Sequence, residues 1–287
     1  MDFVDLHCHS TYSDGTFSPT ELVDQAKKLH LAGLALTDHD TVSGVAELLH
    51  HGRQQGLQVI SGVELSANLK QMPLHILGYG FDHRDEKLLA GLGKIQSDRR
   101  ERNLAITQKL QDLGMALSYA DIEAIAGGGQ VGRPHFATYL VKEGRASNMQ
   151  HAFDLFLRGK RPAYVPRTPL AASQAITMIN RAGGHAILAH PGTSKKPWPE
   201  LVKIINILLD FGLAGVECYY PTHSSAFCRK LLDYCQEHKL LVTGGSDFHG
   251  DIRPGTRLGA TSRKQQTPLA ALTKLSLARK SPGNCQA

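Results

Sequence analysis

The chain has 287 residues, 41% of them hydrophobic, which is ample core for one large domain or for one domain carrying an insert. Its formal charge of +6 weakly favours an anionic partner such as phosphate or nucleic acid, though part of it lies in the C-terminal stretch RKSPGNCQA. The most apolar run, 203–216, is interrupted by Asp210 and Gly212 and is too short to span a membrane, and five cysteines (Cys8, Cys218, Cys228, Cys235, Cys285) without a CxxC pair argue against a disulfide framework or zinc ribbon.

The N-terminal MDFVDL lacks the basic and apolar regions of a signal peptide, so a cytoplasmic location is expected, with no membrane association and no inferable protein partner. FVDLHCH (3–9) reads as a strand. SPTELVDQAKKLHL (18–31) reads as a helix with Ser18 as N-cap, Pro19 at its first position and Glu21 completing a capping box. LALTDHD (34–40) is the second strand, followed by a helix to about Gln55. LQVISGVELS (57–66) and LHILGYGF (74–81) are strands three and four. Only ten residues separate Glu64 from His75, too few for a crossover helix, so these two strands are expected to pair as an antiparallel hairpin.

From about Asp85 to Gly159 the signals are helical: one long amphipathic segment, then SYADIEAIAGGG, RPHFATYLVKEG and SNMQHAFDLFLRGK. The GGG at 127–129 reads as a hinge or flexible connector. Alternation then resumes, with helices at 169–182, 198–211 and 224–239, strands at 186–191, 215–220 and 241–249, and a closing helix, TPLAALTKLSLARK. Seven strands alternating with helices predict an α/β barrel, with 1–94 and 166–287 as its two parts and 95–165 as a helical insert.

Histidine is over-represented, at fifteen residues. On a strand, residues i and i+2 face the same way, so His7 and His9 point together and Cys8 points away. An isolated HxH pair is more often structural. Here it has company: Asp38, His39 and Asp40 end strand two, Glu64 ends strand three and His75 opens strand four. His190 ends strand five, and Asp247 and His249 end strand seven. Barrels of this class build their sites at the C-terminal rim, and so many imidazoles and carboxylates on one rim point to a metal centre. By contrast, His30, His50, His51, His83, His151, His185 and His238 have no partner pattern and read as solvated or structural.

Together DLHCHSTYSDG, LTDHD, GVELS, HILGY, LAHPG and GSDFH, in this order, resemble the PHP (polymerase and histidinol phosphatase) superfamily. The insert, with RRERN and GRPHFA, resembles the branch of 3',5'-nucleoside bisphosphate phosphatases and 5'-to-3' oligoribonucleases. The resemblance implies a distorted (β/α)7 barrel with a helical insert, holding three divalent cations. One ion would take His7, His9, Glu64 and Asp247; a second, Asp14, His39 and His249; a third, Glu64, His75 and His190. Asp38 and Asp40 would support imidazoles from behind. Imidazole with carboxylate suits Mn²⁺, Fe²⁺ or Zn²⁺, and the resemblance favours Mn²⁺.

Arg99 and Arg102 share a helix face at i, i+3, and Arg133 and His135 lie at a helix start suited to anions. The resemblance implies that Arg102 and Asn103 contact a substrate phosphate, and the insert is expected to act as a lid. Glu217 in strand six and His223 just after it lie near the rim, Glu217 as a support for a ligand and His223 as a candidate to protonate a leaving alkoxide. The expected activity is removal of the 3'-phosphate from nucleoside 3',5'-bisphosphates, with degradation of short 5'-phosphorylated RNA from its 5' end. Two other readings are a histidinol-phosphate phosphatase and a non-catalytic scaffold in a replication complex.

Overall fold

The computed structural model describes residues 2–166, 170–261 and 266–277. The strands are β1 (Phe3–Cys8), β2 (Gly33–Leu36), β3 (Gln58–Leu69), β4 (Met72–Tyr79), β5 (Leu170–Ala171), β6 (His185–Leu188), β7 (Gly215–Tyr219), β8 (Leu241–Gly244) and β9 (Thr267–Pro268). The helices are α1 (Pro19–Lys28), α2 (Val45–Gln54), α3 (Glu86–Asp112), α4 (Tyr119–Ile125), α5 (Arg133–Lys142), α6 (Met149–Ala152), α7 (Ala172–Arg181), α8 (Trp198–Asp210), α9 (Ser225–Glu237) and α10 (Leu269–Leu277). Local chemistry sets many of these boundaries. Ser18 caps α1, and its backbone N–H donates to Glu21 at 2.8 Å, as the capping-box pattern requires.

The seven longer strands are those expected, and they form a nearly closed, distorted α/β barrel. The sheet order is β8-β7-β6-β4-β3-β2-β1-β9, and β4 runs antiparallel to both neighbours. The expected β3–β4 hairpin closes through Lys70 and Gln71, both with positive φ (48° and 69°), the backbone of a two-residue hairpin turn. Sequence periodicity gave no sign of β5 and β9, since two residues carry no period. Pairing of β5 with β3 delays the start of α7 to Ala172, later than expected, and Pro169 lies outside the described residues. So do Cys285, the RKSPGNCQA stretch and the last three residues of the expected closing helix.

The barrel closes where β1 meets the segment after β8. The Asp247 N–H donates to His7 O at 2.8 Å, and the His9 N–H donates to Phe248 O at 2.9 Å. A side chain at position 245 is impossible here, because its Cβ would lie 2.3 Å from the His7 nitrogen. Asp5, fully buried, fastens the same seam. Its carboxylate accepts from His7 N (3.1 Å), Ser246 N (3.0 Å), Ser246 Oγ (2.5 Å) and Gly259 N (2.7 Å).

Register between β1 and β2 shifts between Asp5 and Cys8. Below the shift, Val4 and Leu6 join Ile60, Leu77, Tyr79 and Ile187 in an apolar floor closed by α10. Above it, Cys8 packs outward with Leu22, Leu34 and Leu36, while His7 and His9 face inward. The rim residues thus stand on a dry base.

The insert has its own core, including Ile106, Leu110, Ile122, Phe136, Leu140 and Leu157. The expected boundary at 94/95 falls inside α3, which is unbroken for 27 residues. Leu88, Leu92 and Ile95 pack on the barrel, and Ile106 and Leu110 pack in the insert, so one helix serves both cores. The GGG segment is not a free connector. Gly127 and Gly128 turn with positive φ, a Cβ on Gly129 would sit 2.1 Å from Thr11 O, and the Gln130 N–H donates to Tyr12 O at 3.0 Å.

The four donors on Asp5 generate a stability prediction. Asp5→Asn exchanges one acceptor oxygen for an amide and strands two buried donors, so unfolding free energy should fall by about 2–4 kcal/mol. Ser246→Ala should cost about 1 kcal/mol. Urea unfolding of the two variants checks both, and an unchanged midpoint for Asp5→Asn would refute the seam's role.

Candidate metal centre

The strands end just short of the rim residues, which sit on the first residues of the following loops. His190 (φ 27°), Asp247 (φ 52°) and Asp40 (φ 55°) adopt left-handed backbone that non-glycine residues rarely hold, and such strain gathers at functional sites. His7, Glu64 and His75 are the exceptions, lying within β1, β3 and β4. His75 opposes Ser66 across the hairpin, on the same face as Glu64, and its Nδ1 reaches Glu64 Oε1 at 2.6 Å.

Three groups of donor atoms come together. His9, Asp14, His39 and His249 form one, and His7, His9, Glu64 and Asp247 another. His39, Glu64 and His75 form the third, and within each group all donor atoms lie within 4.8 Å of one another. His190 joins the third through Nε2, 3.0 Å from Glu64 Oε1. All nine sequence-selected candidates therefore converge, with Glu64 at the middle and only 1% exposed.

The donor set fits metal ions. The Nε2 atoms of His7, His9 and His249, the Nδ1 of His39 and Glu64 Oε2 are buried, with no hydrogen-bond partner among the described residues. They nevertheless face carboxylate oxygens and imidazoles at short range: His9 Nε2 is 3.3 Å from both Glu64 Oε2 and Asp247 Oδ1, and His39 Nδ1 is 3.0 Å from Glu64 Oε2. Inward-facing lone pairs without hydrogens to share are what a cation would satisfy. The cluster is thus able to hold metal ions.

Electrostatics agree. Burial disfavours the charged form of every group here. In His7, neighbouring Glu217, Glu64 and Asp247 outweigh it and push the pKa well above the ordinary value. His9, His39 and His190 are also raised by nearby carboxylates against burial, whereas in His75 burial prevails and the pKa falls. Asp14, Glu64 and Asp247 are held well below the usual carboxylate range by surrounding imidazoles, despite burial. The centre is a negative field that draws positive charge.

Other residues aim the donors. Glu217 Oε1 accepts from His7 Nδ1 at 2.9 Å, which turns His7 Nε2 inward, and Glu217 Oε2 accepts from the His190 N–H at 2.7 Å. His249 Nδ1 donates to Asp247 O at 2.8 Å, freeing Nε2 for the centre. Asp38 acts one step back. It accepts from Ser10 N, Ser10 Oγ and Ser13 Oγ, and Ser13 Oγ lies 3.5 Å from His9 Nδ1.

Several roles expected from sequence are revised. Asp40 was to support an imidazole, but its carboxylate accepts from Ser66 N at 3.0 Å and Ser66 Oγ at 3.2 Å and pairs with Arg99. Arg99 is therefore engaged in tying α3 to the barrel. Asn103 is buried, with its amide donating to Val131 O at 2.8 Å. His223, expected as a proton donor, is hydrogen-bonded through both ring nitrogens: Nδ1 donates to Cys218 O at 2.9 Å, while Nε2 accepts from the Gly192 N–H at 3.1 Å, and burial lowers its pKa. Arg133 reaches Leu157 O at 3.4 Å and lies over Phe153. His135 Nδ1 accepts from the Gly132 N–H at 2.9 Å, and its ring is within electrostatic reach of Asp14 and Arg99.

Sequence reading missed Tyr220 and Arg253. The Tyr220 hydroxyl and Arg253 Nη1 donate to Asp247 Oδ2 at 2.8 and 2.7 Å, fixing that carboxylate with Oδ1 inward. Neither has a metal-ligand side chain, so spacing alone could not single them out.

A cation that fills this centre should stabilise the fold. Millimolar Mn²⁺ added to chelator-treated protein should raise the unfolding free energy by about 3–4 kcal/mol if it binds 100- to 1,000-fold below that concentration. Glu64→Ala should abolish most of the rise. Thermal scans with and without metal check this, and an equal rise in the variant would place the ion elsewhere.

Comparison with known proteins agrees with the geometry. The chain is 37% identical to a 5'-3' exoribonuclease of Haemophilus influenzae, over 85% of this chain and 89% of that one. It is 34% identical to a 3',5'-nucleoside bisphosphate phosphatase of Chromobacterium violaceum, over 91% and 92%. A solved structure from Bifidobacterium adolescentis, whose description proposes a metal-dependent phosphoesterase, superposes with a TM-score of 0.87 at 28% identity, covering 98% of this chain and 97% of that one. The pattern of the PHP domain matches residues 5–149, half of the sequence, and with relatives this similar over most of their length the chain belongs to the PHP domain family.

Proposed function

We propose that this protein is a metal-dependent phosphohydrolase that removes the 3'-phosphate from nucleoside 3',5'-bisphosphates and shortens 5'-phosphorylated RNA from its 5' end. The observation that carries the reading is the largely buried nine-residue donor cluster, flanked by an insert bearing Arg102, Arg133 and His135. Relatives named for a bisphosphate phosphatase and for a 5'-3' exoribonuclease support it. One bond accounts for both activities. Water attacks the phosphorus on the 3'-oxygen, the P–O3' bond breaks, and O3' takes a proton. A terminal phosphate leaves as inorganic phosphate, and an internucleotide phosphate stays on the shortened chain.

His7, His9, Glu64 and Asp247 would hold one divalent cation, Asp14, His39 and His249 a second, and Glu64, His75 and His190 a third. Mn²⁺ is favoured by the family resemblance, and Fe²⁺ or Zn²⁺ suits the same donors. When bound, such ions neutralise phosphoryl charge and make water a nucleophile near neutral pH. The protein's own part is to hold the donors still: Glu217 fixes His7 and the His190 backbone, and Tyr220 and Arg253 fix Asp247. Arg102 would grip the phosphate that is not cleaved, with Arg133 and His135 completing the basic face and the insert covering the substrate. Asn103 would act beneath Arg102, whose Nη2 lies 3.4 Å from Asn103 Oδ1. A histidinol-phosphate phosphatase would leave the basic insert without a task, and a scaffold would leave the donor cluster without one.

Two outcomes test the reading. Chelation should abolish hydrolysis of adenosine 3',5'-bisphosphate and Mn²⁺ should restore it; full activity in chelated protein would refute it. Arg102→Ala should lower kcat/KM for the bisphosphate by roughly one to two decades, the scale of a lost charge-assisted contact, while sparing p-nitrophenyl phosphate. Arg102→Lys should recover only part, because a point charge lacks the guanidinium fork. An unchanged ratio of the two substrates in Arg102→Ala would assign Arg102 to a solvated helix face.

A further inference from the structure

A groove of about 400 Å³ opens beside the donor cluster. Its walls are mainly apolar: Met72, Pro73 and Leu74 at the hairpin end of β4 face Leu201 and Ile204 of α8. Its inner end is formed by His75 and His190, which also belong to the cluster, so groove and centre are continuous. Lys196 stands at the outer edge, exposed and paired with Glu200 at 3.0 Å. The volume lies in the range of small-molecule sites, about 300–1,000 Å³.

The order of groups around the rim gives the groove a task. His39 neighbours His75, and His75 neighbours His190, with ring centroids 5.3 and 5.2 Å apart. Asp14 and His39 lie towards the insert, where His135 and Arg99 approach, and His190 lies towards the groove. A substrate whose 5'-phosphate is held by the insert places its 3'-phosphorus over the cluster. A mononucleotide ends there. An RNA chain continues, and its second nucleoside must leave the cluster past His75 and His190.

We infer that this groove binds the second nucleoside of a 5'-phosphorylated RNA, its base lying between the hairpin end and α8 and its following phosphate near Lys196. Apolar walls suit the face of a base of any identity, and the lysine offers positive charge to the next phosphate. The groove thus favours the exonuclease reaction over the phosphatase reaction at a single centre. In that reaction water adds to phosphorus, the P–O3' bond breaks, and the O3' of the first nucleotide takes the proton. The groove keeps the shortened chain, which carries the new 5'-phosphate. This inference rests on the proposed activity.

The test compares kcat/KM for adenosine 3',5'-bisphosphate and for the 5'-phosphorylated dinucleotide pApA in the Mn²⁺-loaded protein. Ile204→Glu and Met72→Glu each put a carboxylate where the base would lie, on half-buried positions whose side chains contact no cluster residue through a hydrogen bond among the described residues. Each should lower the dinucleotide value about tenfold, chiefly through KM, with the bisphosphate value within about twofold of wild type. Ile204→Leu should retain both activities. Unchanged dinucleotide cleavage in both Glu variants would overturn the inference, and so would an equal fall on both substrates, which would mean a disturbed centre. A wild-type protein that cleaves neither substrate refutes the proposed function itself, and one that cleaves only the bisphosphate refutes the groove's role while leaving the phosphatase standing.

Discussion

The site depends on one contact between distant parts of the chain, the closure of the barrel between β1 and residues 245–249. Four of the nine candidate ligands, His7, His9, Asp247 and His249, lie on the two sides of that seam. Their spacing is set by backbone bonds from Asp247 N to His7 O and from His9 N to Phe248 O. The seam can close this tightly only because residue 245 has no side chain. Asp5, 241 residues from Ser246 in sequence, holds the two ends in register. A shift there would move two imidazoles against the carboxylate between them.

The second constraint is charge in a dry place. Asp14, Glu64 and Asp247 are almost fully buried, and ionised carboxylates survive there only beside compensating charge. The imidazoles provide some of it by taking up protons, which is why most of their pKa values rise against the pull of burial. The rings also crowd one another: those of His9 and His249 stack with centroids 4.0 Å apart. Divalent cations would answer both demands, neutralising the carboxylates and using the inward lone pairs at once. The outer supports, Glu217, Asp38, Tyr220 and Arg253, then serve to keep each donor aimed inward.

Much of this was legible in the sequence, for identifiable reasons. A ligand must be one of a few side chains, and on a barrel it must lie near a strand end, so residue type and periodicity together exposed eight of the donors, alongside Asp38 and Asp40, while Asp14, in the loop after β1, came only with the family resemblance. The hairpin was legible because a ten-residue spacing cannot hold a crossover. What failed was everything set by partners far away in sequence. His223 has the chemistry of an acid but sits between two backbone groups, the Cys218 carbonyl and the Gly192 N–H, that only the fold brings to it. Arg99 resembles a phosphate contact until Asp40 lies against it. Asp5 looks like an ordinary strand residue, and the third glycine of GGG looks like slack until Thr11 O is found against it. Tyr220 and Arg253 work through Asp247, and residue type alone does not reveal a buttress.

The insert is joined to this frame at several points. It enters along α3, which crosses from barrel core to insert core without a break. Just past the barrel contact of Ile95, Gln96 Nε2 donates to Asp40 O at 3.0 Å, and Arg99 pairs with the Asp40 carboxylate. Asp40 follows His39 directly and also binds Ser66, two residues from Glu64 on the same strand. On the far side, Gly129 and Gln130 rest on Thr11 and Tyr12, in the loop that leads to Asp14. The insert is thus anchored to two loops that carry candidate ligands. On the proposed reading, the distance from the basic face of the insert to the donor cluster is fixed by the fold. A fixed distance acts as a ruler: it selects a substrate by the separation of its two phosphates, with the base left comparatively free. The same ruler serves a bisphosphate and the 5' end of an RNA, because in both one ribose separates the held phosphate from the one that is cleaved.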